Sequence, residues 1–438
     1  MMHFKKKSLY LLLILLLVTA LIVPACGNGG APVDDDDPAD TDDPIVIGAT
    51  FTLSGPVSHA GKQVFEGAEL AVKYVNEELG GILGREVVLK YYDDEFDYGI
   101  MPTLYERLIT QDNVDLLLSP YTSAAQYAAP IAARHDRLMF GVAVDSYGAN
   151  LSYGQNIVNI QMDGEWRGGM WWRDVANFFA NFDEWNHLGL EKPETFAIMN
   201  LEIAYGHEVA DTIIPYLEDN GYEFVYAEYF APHVDDWTPI ISRLRELDPD
   251  VVMQPHYFED TVTFIEACIE MDYFPRYFIS EGPGWDPIAW TNPELGGLPP
   301  SIAKRPGIFS YGVYKDLYVS ETKDYLRAYT WDKFENNPGN DFLCGFMAVE
   351  LAAKAANLAG STDKDEMIAA MVNNTIDLAG YAYRMNDNGG NMADFYWGVS
   401  QYIPDDLANA DTTGNDWYCV WPERYATAQP AYPTIAWD

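Results

Sequence analysis

The stretch "LLLSPYTSAAQYAAP", residues 116–130, opens as a buried strand and closes as a helix, with Ser119, Tyr121, Thr122 and Ser123 between the two. Hydroxyls at a fresh helix N-terminus do one of two things. They cap the helix by accepting the N–H groups its first turn leaves unbonded. Alternatively, together with those N–H groups, they hold an anion such as a carboxylate. Open α/β sheets bind ligands in such places, outside the carboxyl ends of their strands. Ser54 in "LSGP" carries the same two readings, turn residue or ligand contact. His256 and Glu259 in "HYFE" have a spacing that a metal could use on a helix, but with no third ligand in view a cleft histidine is preferred. Other chemistry is absent from the sequence, which has no G-x-S-x-G elbow, no G-x-x-x-x-G-K-[ST] phosphate loop and no H-E-x-x-H zinc helix. With 67 Asp and Glu against 26 Lys and Arg, an abundance of carboxylates singles out no catalytic pair.

The elements that must position these residues repeat as strand, turn, helix. "PIVIGATF" is a short apolar strand, and Val64, Ala68, Ala71, Val72 and Val75 then recur at helical spacing. "EVVLKYYD", "VDLLLSP" and "RLMFGVAV" are further strands, separated by the helices "MPTLYERLITQ" and "SAAQYAAPIAARHD". The pattern restarts after residue 182 with "TFAIMNLE", "YEFVYAEYF", "DVVMQPH" and "RYFISE" as strands, again alternating with helices. Such alternation implies right-handed βαβ crossovers and mostly parallel sheets. Later come a long helix, "NDFLCGFMAVELAAKAANLAG", a second helix, "DKDEMIAAMV", and a tail that reads as a hairpin around Asn388, Gly389 and Gly390.

The first 25 residues read as an address. Lys5, Lys6 and Lys7 precede an apolar run from Leu9 to Ile22, and "VPAC" closes it with small residues before Cys26. The segment resembles a bacterial lipoprotein signal, with Cys26 as the lipidated first residue of the mature chain. Residues 26–44 contain seven Asp with Gly and Pro and no apolar periodicity, which reads as a disordered acidic tether. The formal net charge is −41, and removing the signal takes away three Lys and no acid. Such a charge excludes nucleic acid as a partner and favours solubility. Cys268, Cys344 and Cys419 are too scattered for a zinc site or a disulfide framework; the first two fall in helical patterns as core residues.

Two long stretches carry a family resemblance. "LSGPVSHAGKQVFEGAELAVKYVNEELGGILGREVVLKYYDDE" resembles the opening of the type I periplasmic binding fold, as in the leucine/isoleucine/valine-binding protein family of ABC transporters. "YGHEVADTIIPYLEDNGYEFVYAEYFAPHVDDWTPIISRLRELDPDVVMQP" resembles its second lobe. The resemblance runs from Ile45 to about Gln401 and implies an α/β protein of two lobes joined by three crossings, closing by a hinge on a trapped ligand. The implied N-terminal lobe is 45–165 with 312–380, and the C-terminal lobe is 166–311 with 381–438. By the same resemblance, Ser123, with Tyr121 and Thr122 beside it, holds a ligand carboxylate, while the Ala143 carbonyl, next to Val144, meets an ammonium. Tyr205 and Tyr257 stand at strand ends of the second lobe, and Glu281 in "ISEGPGW" pairs with the ammonium. Trp166 and Trp285 either line the cleft or cover it. Asp145 departs from the family's usual Thr, and an ionised Asp near a ligand carboxylate is repulsive.

The implied function is an extracytoplasmic solute receptor: a lipid-anchored monomer passing a small polar ligand to an ABC permease, with no cofactor, no metal and no enzymatic step. Branched-chain or aromatic amino acids come first as ligands, then amides, urea-like compounds and small carboxylates. Service to a membrane sensor and a hydrolase on a similar scaffold are the competing functions.

Overall fold

The computed structural model describes residues 43–143, 156–159, 169–185, 191–280, 289–290, 293–299, 308–313, 320–334, 338–386, 397–402 and 417–421. Two sheets organise the part that begins at Asp43. The first has the order β2-β1-β3-β4-β5, built from Ile45–Phe51, Val87–Asp93, Leu116–Tyr121, Met139–Ala143 and Ile157–Asn159, all parallel. Helices α1 (Ser58–Glu78), α2 (Met101–Thr110) and α3 (Thr122–Arg134) make the crossovers. Parallel strands lie between helices on both faces, so they read as unbroken apolar runs such as "IVIGATF" and "LLLS".

The second sheet joins parallel β6 (Thr195–Leu201), β7 (Glu223–Phe230), β8 (Val251–Gln254), β9 (Tyr277–Ser280) and β10 (Ile308–Val313), in the order β7-β6-β8-β9-β10. Here α4 (Gly169–Ala180), the short α5 (Phe182–Trp185), α6 (Ala204–Asp219), α7 (Thr238–Leu247) and α8 (Phe258–Glu270) accompany the strands. After α9 (Glu321–Phe334) the chain returns to the first sheet through α10 (Asn340–Ala359) and α11 (Lys364–Asn373). By length and composition α10 could cross a membrane, yet nearly its whole circumference is buried against α1, β3, β4 and α11.

The approach of α10 to α1 is set by glycine. A Cβ at Gly67 would stand 2.0 Å from the Phe342 carbonyl oxygen, and one at Gly345 would stand 2.0 Å from that of Val64. The two backbones are therefore in direct contact at two points, a distance only glycine permits. A related device starts the helix that follows the first strand of each sheet: a Cβ at Gly61 would meet the Thr52 carbonyl at 2.0 Å, and one at Gly206 that of Leu201 at 2.0 Å. One continuous apolar cluster includes Ile45 and Ile47 of β1 together with Phe196 and Ile198 of β6.

The hairpin expected around Asn388 falls on residues outside the described ones; the described strands on either side pair with other strands. β12 (Ala382–Tyr383) pairs with β11 (Ile376–Asp377), closed locally by the Leu378 N–H donating to the Tyr381 carbonyl at 3.0 Å. β13 (Trp397–Tyr402) pairs antiparallel with β10 and with β14 (Trp417–Trp421). The physical reason is the edge of β10, whose row of unbonded backbone groups takes the returning chain as its next strand. Cys268 and Cys344 are both buried, as their helical patterns suggest, and burial pushes the Cys268 thiol up.

Candidate functional site between the sheets

The carboxyl ends of the strands of both sheets meet at one seam. Phe96, beyond β2, sets its ring edge-on to Tyr257, beyond β8, with centroids 5.6 Å apart. His59 in the first turn of α1 stacks on Phe258 in the first turn of α8, at 4.4 Å. The N–H of His59 also donates to Glu259 Oε1 at 3.0 Å. Asp341, at the start of α10, lies close enough to Tyr257 to bias its ionisation; burial, then Tyr98, Asp341, Glu259 and Asp260 all push the Tyr257 phenol up.

On the first sheet's side of the seam the loops after β1 and β2 form one clamp. Asp93 accepts the Ser54 hydroxyl at 2.7 Å and the N–H groups of Leu53 at 2.9 Å and Glu95 at 3.0 Å. Burial alone would raise the Asp93 carboxyl, but these bonds overcome it and hold it below the usual carboxylate range. Asp94 accepts the Thr52 hydroxyl at 2.7 Å and the Phe96 N–H at 3.1 Å. Two consecutive non-glycine residues here, Glu95 (φ 53°) and Phe96 (φ 62°), adopt the left-handed conformation. The hydrogen bonds to Asp93 and Asp94 hold this strained turn, which aims the Phe96 ring across the seam.

Beneath the clamp, Thr50 of β1, Ser119 of β3 and Asp94 are fully buried. Thr50 lies beside Asp94 and Tyr105. Yet Thr50 Oγ1, Ser119 Oγ and Asp94 Oδ2 make no well-directed hydrogen bond in the protein. The second sheet repeats the situation. The amides of Asn200, in β6, and Gln254, the last residue of β8, are fully buried with neither nitrogen nor oxygen bonded. Leaving such groups unanswered costs about 1–3 kcal/mol each, which makes these strand ends the polar positions of the seam with hydrogen-bonding capacity to spare.

His256 and Glu259 do not share a site. α8 begins only at Phe258, with Tyr257 as its N-cap, so the two residues do not lie on one helix face. His256 is fully buried against Phe230 and Trp237, with Nδ1 3.1 Å from Asp260 Oδ2. Glu259 turns to His59 instead. Among the described residues no group of three or more His, Cys, Asp and Glu could hold a metal.

The other sequence candidates fall as follows. β3 ends at Tyr121 and α3 starts at Thr122, and the strand register places Tyr121 opposite Ala143, so these backbones are neighbours at the carboxyl edge. The side chains of Tyr121, Thr122, Ser123 and Ala143 lie outside what the structure describes, as do residues Cys26, Val144, Asp145, Trp166, Glu281 and Trp285 altogether. Ser54 is exposed and its hydroxyl proton is given to Asp93. Tyr205, in the first turn of α6, is buried and accepts the Trp172 indole N–H at 2.7 Å. Ser119 belongs to the hydroxyl cluster read from the sequence, whereas Thr50, Asp94, Asn200 and Gln254 were not singled out. The signal of Asn200 and Gln254 is a lone polar residue at the end of an apolar run, as in "AIMN" and "VVMQ".

A family model for the periplasmic binding protein matches residues 44–400. The chain belongs to the type I periplasmic binding proteins, in the leucine/isoleucine/valine-binding family. As a member of that family it is a periplasmic solute-binding protein. Leu/Ile/Val-binding protein homolog 7 of Brucella abortus (strain 2308) is 23% identical over 363 residues, covering 81% of this chain and 88% of the relative. Homolog 8 of the same strain is 28% identical over 375 residues, covering 79% and 85%. In fold, the periplasmic binding protein is similar to a leucine-binding protein of Thermotoga maritima, with a TM-score of 0.68 at 17% identity, covering 82% of this chain and 96% of that one. It is also similar to a solute-binding protein of R. palustris in complex with benzoate, with a TM-score of 0.70 at 15% identity over 90% and 98%.

Proposed function

We propose that this protein is the receptor of an ABC importer and captures a small polar solute between its two lobes, an amino acid of the branched-chain or aromatic kind first. The observation that carries the reading is the set of buried polar atoms with no directed partner near the strand ends of both sheets: Thr50 Oγ1, Ser119 Oγ and the second carboxylate oxygen of Asp94 on one side, the amides of Asn200 and Gln254 on the other. A ligand with hydrogen-bonding groups at both ends, drawn into the seam, answers them. Relatives support the choice of solute, since one solved structure holds isoleucine and another benzoate.

The site residues stay as the resemblance assigns them. Ser123 with Tyr121 and Thr122 takes the carboxylate, the Ala143 carbonyl and Glu281 take the ammonium, and Tyr205, Tyr257 and Ser54 stand around them. The lobes are 45–165 with 312–380 and 166–311 with 381–438. Cys26 carries the lipid, residues 26–44 are the tether, and a monomer hands its cargo to a membrane permease without catalysing a reaction. A small aromatic carboxylate is the second reading. The rings of Phe96, Tyr98 and Tyr257 favour it, gathered at the seam.

The test is a thermal-shift screen with branched-chain and aromatic amino acids, amides, urea and benzoates. A ligand at 100 times its dissociation constant stabilises by about 2.7 kcal/mol. Solution scattering at saturation should then give a smaller radius of gyration. A panel with no shift sinks the ligand class, and a shift without compaction sinks the hinge.

A further inference from the structure

Helix α1 has no cap of its own. Its N-cap position is Val57, no side chain there accepts a first-turn N–H, and no acidic residue stands in the first turn. A helix of 21 residues thus begins with neither a side-chain cap nor an acidic first turn of its own to answer its N–H groups and the positive end of its dipole. The answer comes from the other sheet, where Glu259 Oε1 accepts the His59 N–H at 3.0 Å. Glu259 itself lies in the first turn of α8, whose N-cap Tyr257 makes no side-chain cap bond either. One carboxylate therefore sits between two helix N-termini, one packed on each sheet. The stacked rings of His59 and Phe258 and the Phe96–Tyr257 pair close around it.

We propose that Glu259 is a closing latch, a positioning residue that caps α1 in trans only when the two lobes meet. What the latch serves rests on the capture reading above; the bond itself does not. When the lobes part, the carboxylate and the His59 N–H both return to water, and when they meet each replaces the other's water. Such an exchange biases closure without locking it, as a protein that must release its cargo requires. Because apparent affinity scales with the fraction of closed protein, the latch also sets how tightly any solute is held.

The test needs no ligand. Hydrogen exchange at the His59 amide is followed in the full chain and in its Glu259→Ala and Glu259→Gln variants, with solution scattering on each. Glu259→Ala should speed exchange at His59 and enlarge the radius of gyration, while the amides of Ile47 and Ala49 in β1 keep their protection. Glu259→Gln retains a carbonyl acceptor and should stay near the wild type in both. Equal exchange in wild type and Glu259→Ala overturns the latch, as does faster exchange with no expansion. Should Glu259→Ala not fold, Glu259→Asp, too short to reach α1, takes its place with the same expectation. Failure of the capture reading appears separately, as a wild-type protein that answers no solute in the thermal screen.

Discussion

Gly345 of α10 and Val64 of α1 touch backbone to backbone, and Gly67 and Phe342 repeat the contact in the opposite sense. Neither glycine has a flexible neighbour that could yield, because the atom in the way is a helix carbonyl in each case. Gly345→Ala should therefore cost about 3 kcal/mol or more, the upper end of overpacking penalties. Gly67→Ala should cost as much, and the double variant less than the sum, since one outward shift of α10 relieves both clashes. Urea unfolding of the three variants measures this; a loss under about 0.5 kcal/mol for either single change would mean the helices have slack.

Asp94 gives a pH prediction with a defined sign. Burial, with the charge of Asp93 adding to it, raises its carboxyl despite the Thr52 and Phe96 bonds. The folded protein thus holds that proton more tightly than the unfolded chain. Its contribution to stability is fully present below the ordinary carboxylate range and is lost as pH rises through the raised value. Asp94→Asn keeps an oxygen for Thr52 and Phe96 and removes the buried charge. Its melting temperature should exceed the wild type's near pH 8, and the gap should close toward pH of about 4. An identical gap at both values would show that Asp94 is neutral, or solvated, throughout.

Much of the scaffold was legible because buried parallel strands and their crossover helices carry their signal locally. "IVIGATF", "LLLS" and "FAIMN" are apolar for the same reason that they are central. What stayed hidden depends on partners far along the chain. Nothing in "FYWGVSQY" says that β13 will extend the edge of β10 rather than fold back on the segment before it. The glycines near residue 389 mark a turn and not whom the flanking strands join. The same holds at the seam: Ser54 reads as turn or contact until Asp93 is seen accepting its proton, and Glu259 has no assigned partner until His59, 200 residues earlier, arrives beside it.

The polarity of the cleft follows from the assigned ends of a zwitterion. If Glu281 pairs with the ammonium as proposed, Glu281→Gln should weaken binding of an amino acid by about 2–5 kcal/mol, the cost of breaking a desolvated charge pair. Ser123→Ala should lose less, roughly 1–3 kcal/mol, since backbone N–H groups still hold the carboxylate. Asp145→Thr should tighten an ordinary amino acid if Asp145 faces that carboxylate, and abolish binding if Asp145 is the cation's partner. Calorimetry with the solute found by the thermal screen decides. Wild-type affinity in both Glu281→Gln and Asp145→Thr would end the amino-acid assignment.

Cys26→Ser should leave the protein soluble or uncleaved. A diacylated cysteine provides two buried chains, where a single chain binds a bilayer only marginally. Fractionation of membranes is the measurement, and full processing with unchanged attachment would place the anchor elsewhere.

The pairing of α1 with α10 also fixes an order of events during synthesis. Helix α1, with Val64, Ala68, Ala71 and Val75 buried, finds its main helical partner only when residues 340–359 exist. No shorter piece of the chain can finish the first sheet's core, and a contact of such sequence separation closes slowly even then. Nascent chains that stop before Asn340 should be digested readily by protease, and those that extend past Ala359 should resist. Until that point the polypeptide has no completed domain to jam a narrow pore, and it stays threadable across a membrane until most of it has been made.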